Sequence, residues 1–421
     1  MSGAVTSGPA GRLLRAAWIC PIDRPPIRDG WVHVVDGRIA ALGQGHDAPA
    51  HAEADDLGAA AILPGLVNAH THLELSWLRD RVPPSRDFLA WVGQLMRLRT
   101  SFERADDPAA MTPMAEAVAE MRASGTVAVG DIANALVSPA LLASAGMPAV
   151  VFHELMGFGV TDGAPVVAGA VARHAPLASR DVRVVPAPHA PFSVSEALFT
   201  AIRDVVRSAP RPLTSVHVGE SPAEVELLRT GGGPWRERLQ ALGVWRDDWH
   251  PPGRGPADYL CDLGVITRDT LVVHGVQLTD AELARLAAVG ATLVTCPRSN
   301  VWVGVGAPPL ERFLASGVRL AVGTDSLASA PDLNLFAELQ MMRGLAPGAP
   351  ARRLLAAATE GGASALGLEA DLGTIAPGKR AALLAVRLPA GITDPEEALL
   401  GGIAPLAVRV LEVAGYHGGH P

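Results

Sequence analysis

The chain has 421 residues, 49% hydrophobic and 19% charged, the balance of a folded globular protein with a sizeable core. A formal net charge of −8 argues against the basic stripe of a nucleic-acid surface, and no run of 18 apolar residues is present to span a bilayer. Cys20, Cys261 and Cys296 are far apart and lack metal-ligand spacing, and the start of the chain lacks a secretory h-region, so the expected location is the cytoplasm.

Residues 1–62 show short alternating runs, Trp31 to Val35 and Arg38 to Leu42, with turn signals at Asp29-Gly30 and Asp36-Gly37. From there eight short apolar runs read as buried parallel strands: Ile62–Asn68, Thr126–Gly130, Pro148–Phe152, Val182–Ala187, Leu213–Val216, Thr270–Val273, Ala291–Thr295 and Val318–Gly323. Helical patterns lie between them, among them Met114–Ala123, Ser195–Ser208, Asp280–Val289 and Leu310–Ser316. Strands alternating with helices predict βαβ units, and eight units predict an α/β fold closed as a (β/α)₈ TIM-type barrel over residues 63–372. Residues 231–256, rich in Gly, Pro and Trp (Trp235, Trp245, Trp249), interrupt this rhythm and are a candidate lid. The C-terminal runs Ala382–Leu388 and Ala407–Val413 are again β. Residues 1–62 and 373–421 are therefore expected to pair as a small β-sandwich domain.

Catalytic side chains of such a barrel come from the C-terminal ends of its strands. The first barrel run ends in His70-Thr71-His72, the fifth in His217-Val218-Gly219-Glu220, the sixth in His274 and the eighth in Asp325. On a strand, positions i and i+2 face the same side, so His70 and His72 both reach one ion. Three imidazoles with one carboxylate suit a divalent metal, Zn²⁺ first and Fe²⁺ as the alternative, bound by His70, His72, His217 and Asp325. An open position would hold a water whose pKa falls from about 15.7 to about 7 on zinc, giving hydroxide at neutral pH. Glu220 is placed to move protons between that oxygen and a substrate nitrogen, while His274 orients it together with Asp325. His189, Glu154, Glu74, Ser299 and Asn300 lie at neighbouring strand ends or loops as candidate substrate contacts. Ser299 and Asn300 read equally as turn residues after Pro297, and Glu154 equally as a brace of the barrel mouth.

The segments Leu63-Pro-Gly-Leu-Val-Asn-Ala-His-Thr-His72, His217-x-x-Glu220, His274-Gly275 and Gly323-Thr-Asp-Ser326 resemble the amidohydrolase superfamily, and Gly373-Thr-Ile-Ala-Pro-Gly-Lys-Arg380 looks like its returning C-terminal strand. The resemblance spans essentially the whole chain. The one departure is Ala381-Ala382 where the pattern has Ala-Asp, far from the chemistry. Two-metal members bridge their ions with a carbamylated lysine at the fourth strand. Here Lys379 is the only lysine and His189 stands at that strand end, so the resemblance implies the mononuclear deaminase branch. His72-Leu-Glu-Leu-Ser76, Pro188-His-Ala-Pro191, Cys296-Pro-Arg-Ser-Asn300 and Trp249 before Pro251-Pro252 are most similar to aminodeoxyfutalosine deaminases of a menaquinone route. The implied reaction is attack of metal-bound hydroxide on the amino-bearing ring carbon of an aminopurine, with protonation by Glu220 and release of ammonia. A guanine or triazine hydrolase, or a catalytically silent binding protein on the same barrel, are the alternatives. The expected partner is a small-molecule substrate, with a homodimer possible.

Overall fold

The computed structural model describes residues 11–45, 47–49, 53–99 and 104–411. Strands β1 (Arg12–Ile19), β2 (Ile27–Val35), β3 (Arg38–Gln44), β4 (Glu53–Asp56) and β5 (Ala60–Pro64) come first. β2 and β3 form a hairpin whose two loop residues, Asp36 (φ 49°) and Gly37 (φ 71°), both take the left-handed conformation that a tight two-residue turn requires. The other expected turn is absent. Asp29 and Gly30 lie inside β2, where Asp29 merely kinks the strand (φ 47°) and Gly30 pairs with Ala16 and Gln44.

The parallel strands follow: β6 (Leu66–Thr71), β7 (Thr126–Ala133), β8 (Ala149–Leu155), β9 (Val182–Pro188), β10 (Thr214–Val218), β11 (Thr270–His274), β12 (Thr292–Thr295) and β13 (Arg319–Val322). β14 (Leu383–Arg387) and β15 (Val408–Leu411) return to the N-terminal strands; the last two residues of the expected strand to Val413 lie outside the described residues.

The two ends share one seven-stranded sheet, ordered β15-β14-β5-β1-β2-β3 with β4 also beside β1. This replaces the expected sandwich, for a reason visible in the alternation along β5 and β14. Ile62, Leu383 and Ala385 face a core with Leu14, Val32 and Ile375, whereas Leu63, Leu384 and Val386 share a core with Leu354 and Leu355 of a barrel helix and with Leu399 of the short helix Pro395–Leu399. The barrel supplies the second layer, so no second sheet is needed. The run expected as a single strand from Ile62 to Asn68 is cut at Gly65. A side chain there would sit 2.3 Å from Val127 Cγ1, and the break lets β5 join the terminal sheet while β6 enters the barrel.

The eight parallel strands are present, but their ladder is not continuous. They form two four-stranded sheets, β6-β7-β8-β9 and β10-β11-β12-β13. At the β9–β10 seam the His189 amide donates to Leu155 in β8, so by alternation residues 186 and 188 point their amide positions toward β10. Both are prolines and have no N–H to give. The seam is carried instead by Thr214 Oγ1 donating to the Pro186 carbonyl (3.0 Å) and the His217 amide donating to the His189 carbonyl (2.9 Å). At the β13–β6 seam, the bridge of Thr71 to Asp325 replaces a regular ladder.

The intervening helices carry sequence-encoded ends. Ser195 caps Glu196–Ser208, and Asp280–Val289 opens on a reciprocal Thr279–Glu282 box and stops at Gly290 (φ 75°). The 231–256 insertion is not structureless. It contains the helix Pro234–Ala241, whose Trp235 stacks on Phe192 (centroids 4.0 Å apart), and Trp245 stacks on Phe158 (5.6 Å). It thus rests on aromatic residues just past β9 and β8.

One buried pair carries a pH signature. His153 of β8 and His174 share a hydrogen bond (3.0 Å). Burial first, then the neighbouring His174 and Arg173, hold His153 down to about 4; burial and Arg173 lower His174 too. An unfolded imidazole titrates near 6.5, so between these values the unfolded chain binds more protons and stability rises with pH. Denaturant midpoints should therefore fall as pH is lowered from about 6.5 to about 4, and a His153→Gln/His174→Gln variant should show a shallower decline. An equal slope in both proteins would contradict this account.

Candidate metal centre and active site

Four strand ends converge on one point. His70 lies in β6 with His72 just beyond it, His217 in β10, His274 at the end of β11, and Asp325 three residues past β13. The ring centroids of His70 and His72 are 5.0 Å apart, those of His70 and His217 5.0 Å, and those of His217 and His274 5.3 Å. Asp325 Oδ1 is 3.6 Å from His70 Nε2 and 3.4 Å from His72 Nε2. Ligands of one tetrahedral ion at 2.0–2.1 Å stand about 3.4 Å apart, so this spacing suits a shared cation. His70, His72 and Asp325 form one such group, and His70, His217 and His274 another, with ligand atoms within 4.8 Å of one another.

The donor set also fits a cation by its unmet needs. His70 is fully buried and neither ring nitrogen has a hydrogen-bond partner among the described residues, a costly state unless a metal takes a lone pair. Burial pushes His72 down to about 4 despite the pull of Asp325, which keeps the ring neutral and able to coordinate. His217 is likewise lowered, by burial and then by His70. Its Nδ1 donates to the His189 carbonyl (3.0 Å), which turns Nε2 toward the centre. For Asp325, burial opposes ionisation, but His70, His72 and His274 outweigh it and hold the carboxyl well below its ordinary range.

Asp325 presents one oxygen inward because the other is engaged. Oδ2 accepts from Ser299 Oγ (2.5 Å) and Ser329 Oγ (2.8 Å). Asn300 Nδ2 donates to His274 Nδ1 (3.0 Å), which leaves the imidazole proton on Nε2, 3.7 Å from Glu220 Oε1. Ser299 and Asn300 thus position Asp325 and His274, while Asn300 Oδ1 is buried without a hydrogen-bond partner among the described residues. Glu74 is also committed elsewhere. Its carboxylate accepts the amides of Asn134, Ala135 and Val137, fixing the loop past β7. His189 and Glu154 do stand at the centre: Glu154 Oε1 is buried without a hydrogen bond, 3.6 Å from His217 Nδ1 and 4.0 Å from His189 Nε2.

Several positioning residues are not evident from sequence. Asn68 Oδ1 accepts the amides of His70 (3.3 Å) and Thr324 (3.2 Å), and its Nδ2 donates to Thr324 Oγ1 (2.7 Å). Its place two residues before His70, on the same strand face, is the signal that marks it. Glu224 accepts the amides of Gly219 (2.9 Å) and Glu220 (3.1 Å), stiffening the turn that delivers Glu220. Glu220 is buried, and burial, followed by Asp325 and Glu224, raises its carboxyl well above the ordinary range. Arg298 is clamped by Glu338 through its amide (3.1 Å) and Nε (2.7 Å), which sets the segment carrying Ser299 and Asn300.

The histidine–aspartate centre suits a divalent ion, and with the family and relatives that follow it marks the chain as a hydrolase of carbon–nitrogen bonds other than peptide bonds. The chain belongs to the Amidohydrolase family, which matches residues 61–409. It is 35% identical over 354 residues to an aminodeoxyfutalosine deaminase of Deinococcus radiodurans, covering 80% of this chain and 81% of that one. It is 31% identical to a 5-methylthioadenosine/S-adenosylhomocysteine deaminase of Nitratidesulfovibrio vulgaris, covering 97% and 92%. An adenosine deaminase from Xanthomonas campestris, solved with bound zinc, superposes with a TM-score of 0.82 at 28% identity, over 97% of this chain and 92% of that one. No helix among the described residues is long and apolar enough to cross a membrane.

Removing the two hydroxyls that hold Asp325 Oδ2 should loosen the centre without unfolding the chain. A Ser299→Ala/Ser329→Ala variant is expected to bind zinc about 10- to 100-fold more weakly in a chelator competition, with unchanged circular dichroism. Undiminished affinity would show that Asp325 is not held for a metal.

Proposed function

We propose that the chain is a hydrolytic deaminase of adenosine-like substrates, with aminodeoxyfutalosine, on a menaquinone route, as its substrate. The observation that carries this reading is the meeting of buried Glu220 with His274 Nε2, 3.7 Å apart, beside Asp325 and the unpartnered ring of His70. The similarity to the Deinococcus radiodurans relative supports the choice of substrate. His70, His72, His217 and Asp325 would hold one divalent ion, zinc in preference to iron(II). When bound, that ion supplies a water acidified from a pKa of about 15.7 to about 7.

The chain's own groups do the rest. Asn300 keeps the proton of His274 on Nε2, from which it donates a hydrogen bond to the attacking oxygen and fixes its line of approach. Glu220 carries a proton to the ring nitrogen next to the amino-bearing carbon, which makes that carbon electrophilic. The hydroxyl oxygen adds to the carbon, Glu220, now ionised, takes the remaining proton from that oxygen and passes it to the departing nitrogen, and the exocyclic carbon–nitrogen bond breaks, so ammonia leaves and a ring carbonyl remains. Trp235, Trp245 and Trp249 of the insertion pack over the loops past β8 and β9 and serve as a lid that keeps bulk water from this exchange.

Ammonia release from aminodeoxyfutalosine, 5′-methylthioadenosine, S-adenosylhomocysteine and adenosine tests the reading. The first should give the highest kcat/KM. In Glu220→Gln, kcat should fall at least about 100-fold while metal content stays at the wild-type level. Turnover confined to triazines or guanine, or a fully active Glu220→Gln enzyme, would overturn it.

A further inference from the structure

We propose that Ser193 is a positioning residue for the substrate's sugar: it keeps the proton of His189 on Nδ1, so that a bare Nε2, beside Glu154, accepts a hydrogen bond from a ribose hydroxyl. The proposal rests on the deaminase reading and adds to it a rule for which sugars the site takes. Ser193 stands in the turn past β9 and is fixed there from two sides. Its amide donates to the Ala190 carbonyl (3.0 Å), and its carbonyl accepts the amide of Gly157 (2.8 Å). The hydroxyl has one proton, and the Ala190 carbonyl accepts it (3.1 Å). Toward His189 Nδ1, 2.5 Å away, Oγ is therefore an acceptor. A neutral imidazole carries one N–H, so its proton lies on Nδ1 and the Nε2 lone pair is free. Phe192, edge-on to the ring with centroids 5.5 Å apart, holds the ring plane from a second side.

The Nε2 atom faces an oxygen with the same need. Glu154 Oε1, 4.0 Å away, is buried and accepts no hydrogen bond among the described residues, while Oε2 is occupied by Asn134 Nδ2 (2.9 Å). His217 Nδ1 is 3.6 Å from Oε1, but its proton goes to the His189 carbonyl (3.0 Å). Two acceptors thus border one gap that no donor among the described residues fills, a costly arrangement that a ligand N–H or O–H relieves. An adenosine-like substrate has few such groups. Its free ring nitrogens are acceptors, and its amino group is the one that Glu220 and His274 act on. The sugar hydroxyls are the donors left for His189 and Glu154. Neighbouring hydroxyls of a ribose, each with a proton to give, match two acceptors 4.0 Å apart.

Two measurements test this, one of them independent of turnover. In zinc-loaded enzyme carrying nitrogen-15-labelled histidine at mildly alkaline pH, long-range proton–nitrogen spectra, assigned with a His189→Gln variant, should show His189 protonated at Nδ1 and bare at Nε2. Wild-type kcat/KM should fall about 10- to 100-fold from adenosine to at least one of 2′-deoxyadenosine and 3′-deoxyadenosine. Ser193→Ala should shrink that gap by raising KM for adenosine about 10-fold, with kcat and metal content unchanged. Ser193→Thr, which keeps a hydroxyl, should restore it. A proton on Nε2, or equal wild-type kcat/KM for the three nucleosides, overturns the proposal. A Ser193→Ala enzyme that loses kcat and zinc together does so too, since it marks Ser193 as a brace of the fold. The two levels separate: a protonated Nε2 in an enzyme that releases ammonia removes only the role of Ser193, whereas no ammonia from any nucleoside removes the deaminase reading and the sugar assignment with it.

Discussion

The site depends on how the end of β13 is joined to β6. The two strands meet without a regular ladder, and the His70 carbonyl instead accepts two successive amides, those of Thr324 and Asp325. Thr71 Oγ1 donates to the Asp325 carbonyl (2.6 Å), and Asn68 bridges both strands from beneath. The approach is close because Gly323 has no side chain; a Cβ there would lie 2.6 Å from the His70 carbonyl oxygen. This join places a carboxylate within 3.4–3.6 Å of two imidazoles whose sequence positions are some 250 residues away.

Holding that geometry is costly. His274 (φ 74°) and Asp325 (φ 58°) both adopt a left-handed backbone, a strain of about 1–3 kcal/mol each for residues with side chains. Six ionisable side chains, His70, His72, His217, His274, Asp325 and Glu220, are also largely withdrawn from water in one small volume. The surrounding hydrogen bonds offset this: Ser299 and Ser329 on Asp325, Asn300 on His274, Glu224 on the turn before Glu220, and the Arg298–Glu338 clamp behind them. Each fixes an orientation before substrate arrives, which is the role of a preorganised site. Breaking one member leaves a buried charge or donor unmatched.

The strand order and the identity of the converging residues were legible because both follow from local pattern. Apolar runs mark buried strands, and a polar residue just past each run marks the C-terminal face. What was not legible depends on contacts made across the fold. Pro186 and Pro188 announce a missing donor, but only the register of β9 against β8 shows that the gap faces β10. The terminal strands alternate as a sandwich would, and only the packing of Leu384 and Val386 on barrel helices shows that one sheet suffices. That Ser299 and Asn300 hold Asp325 and His274 shows only in the fold, since polar side chains near a site look alike in sequence whether they face a ligand or a neighbour.

The most direct test of the account is crystallographic. Diffraction from zinc-loaded crystals, recorded on both sides of the zinc absorption edge, locates the ion by its anomalous signal. One peak is predicted, at about 2.0–2.2 Å from nitrogens of His70, His72 and His217 and from an Asp325 oxygen. A peak coordinated instead by Glu154 and His189, or none at this centre in crystals that bind zinc elsewhere, would contradict the account.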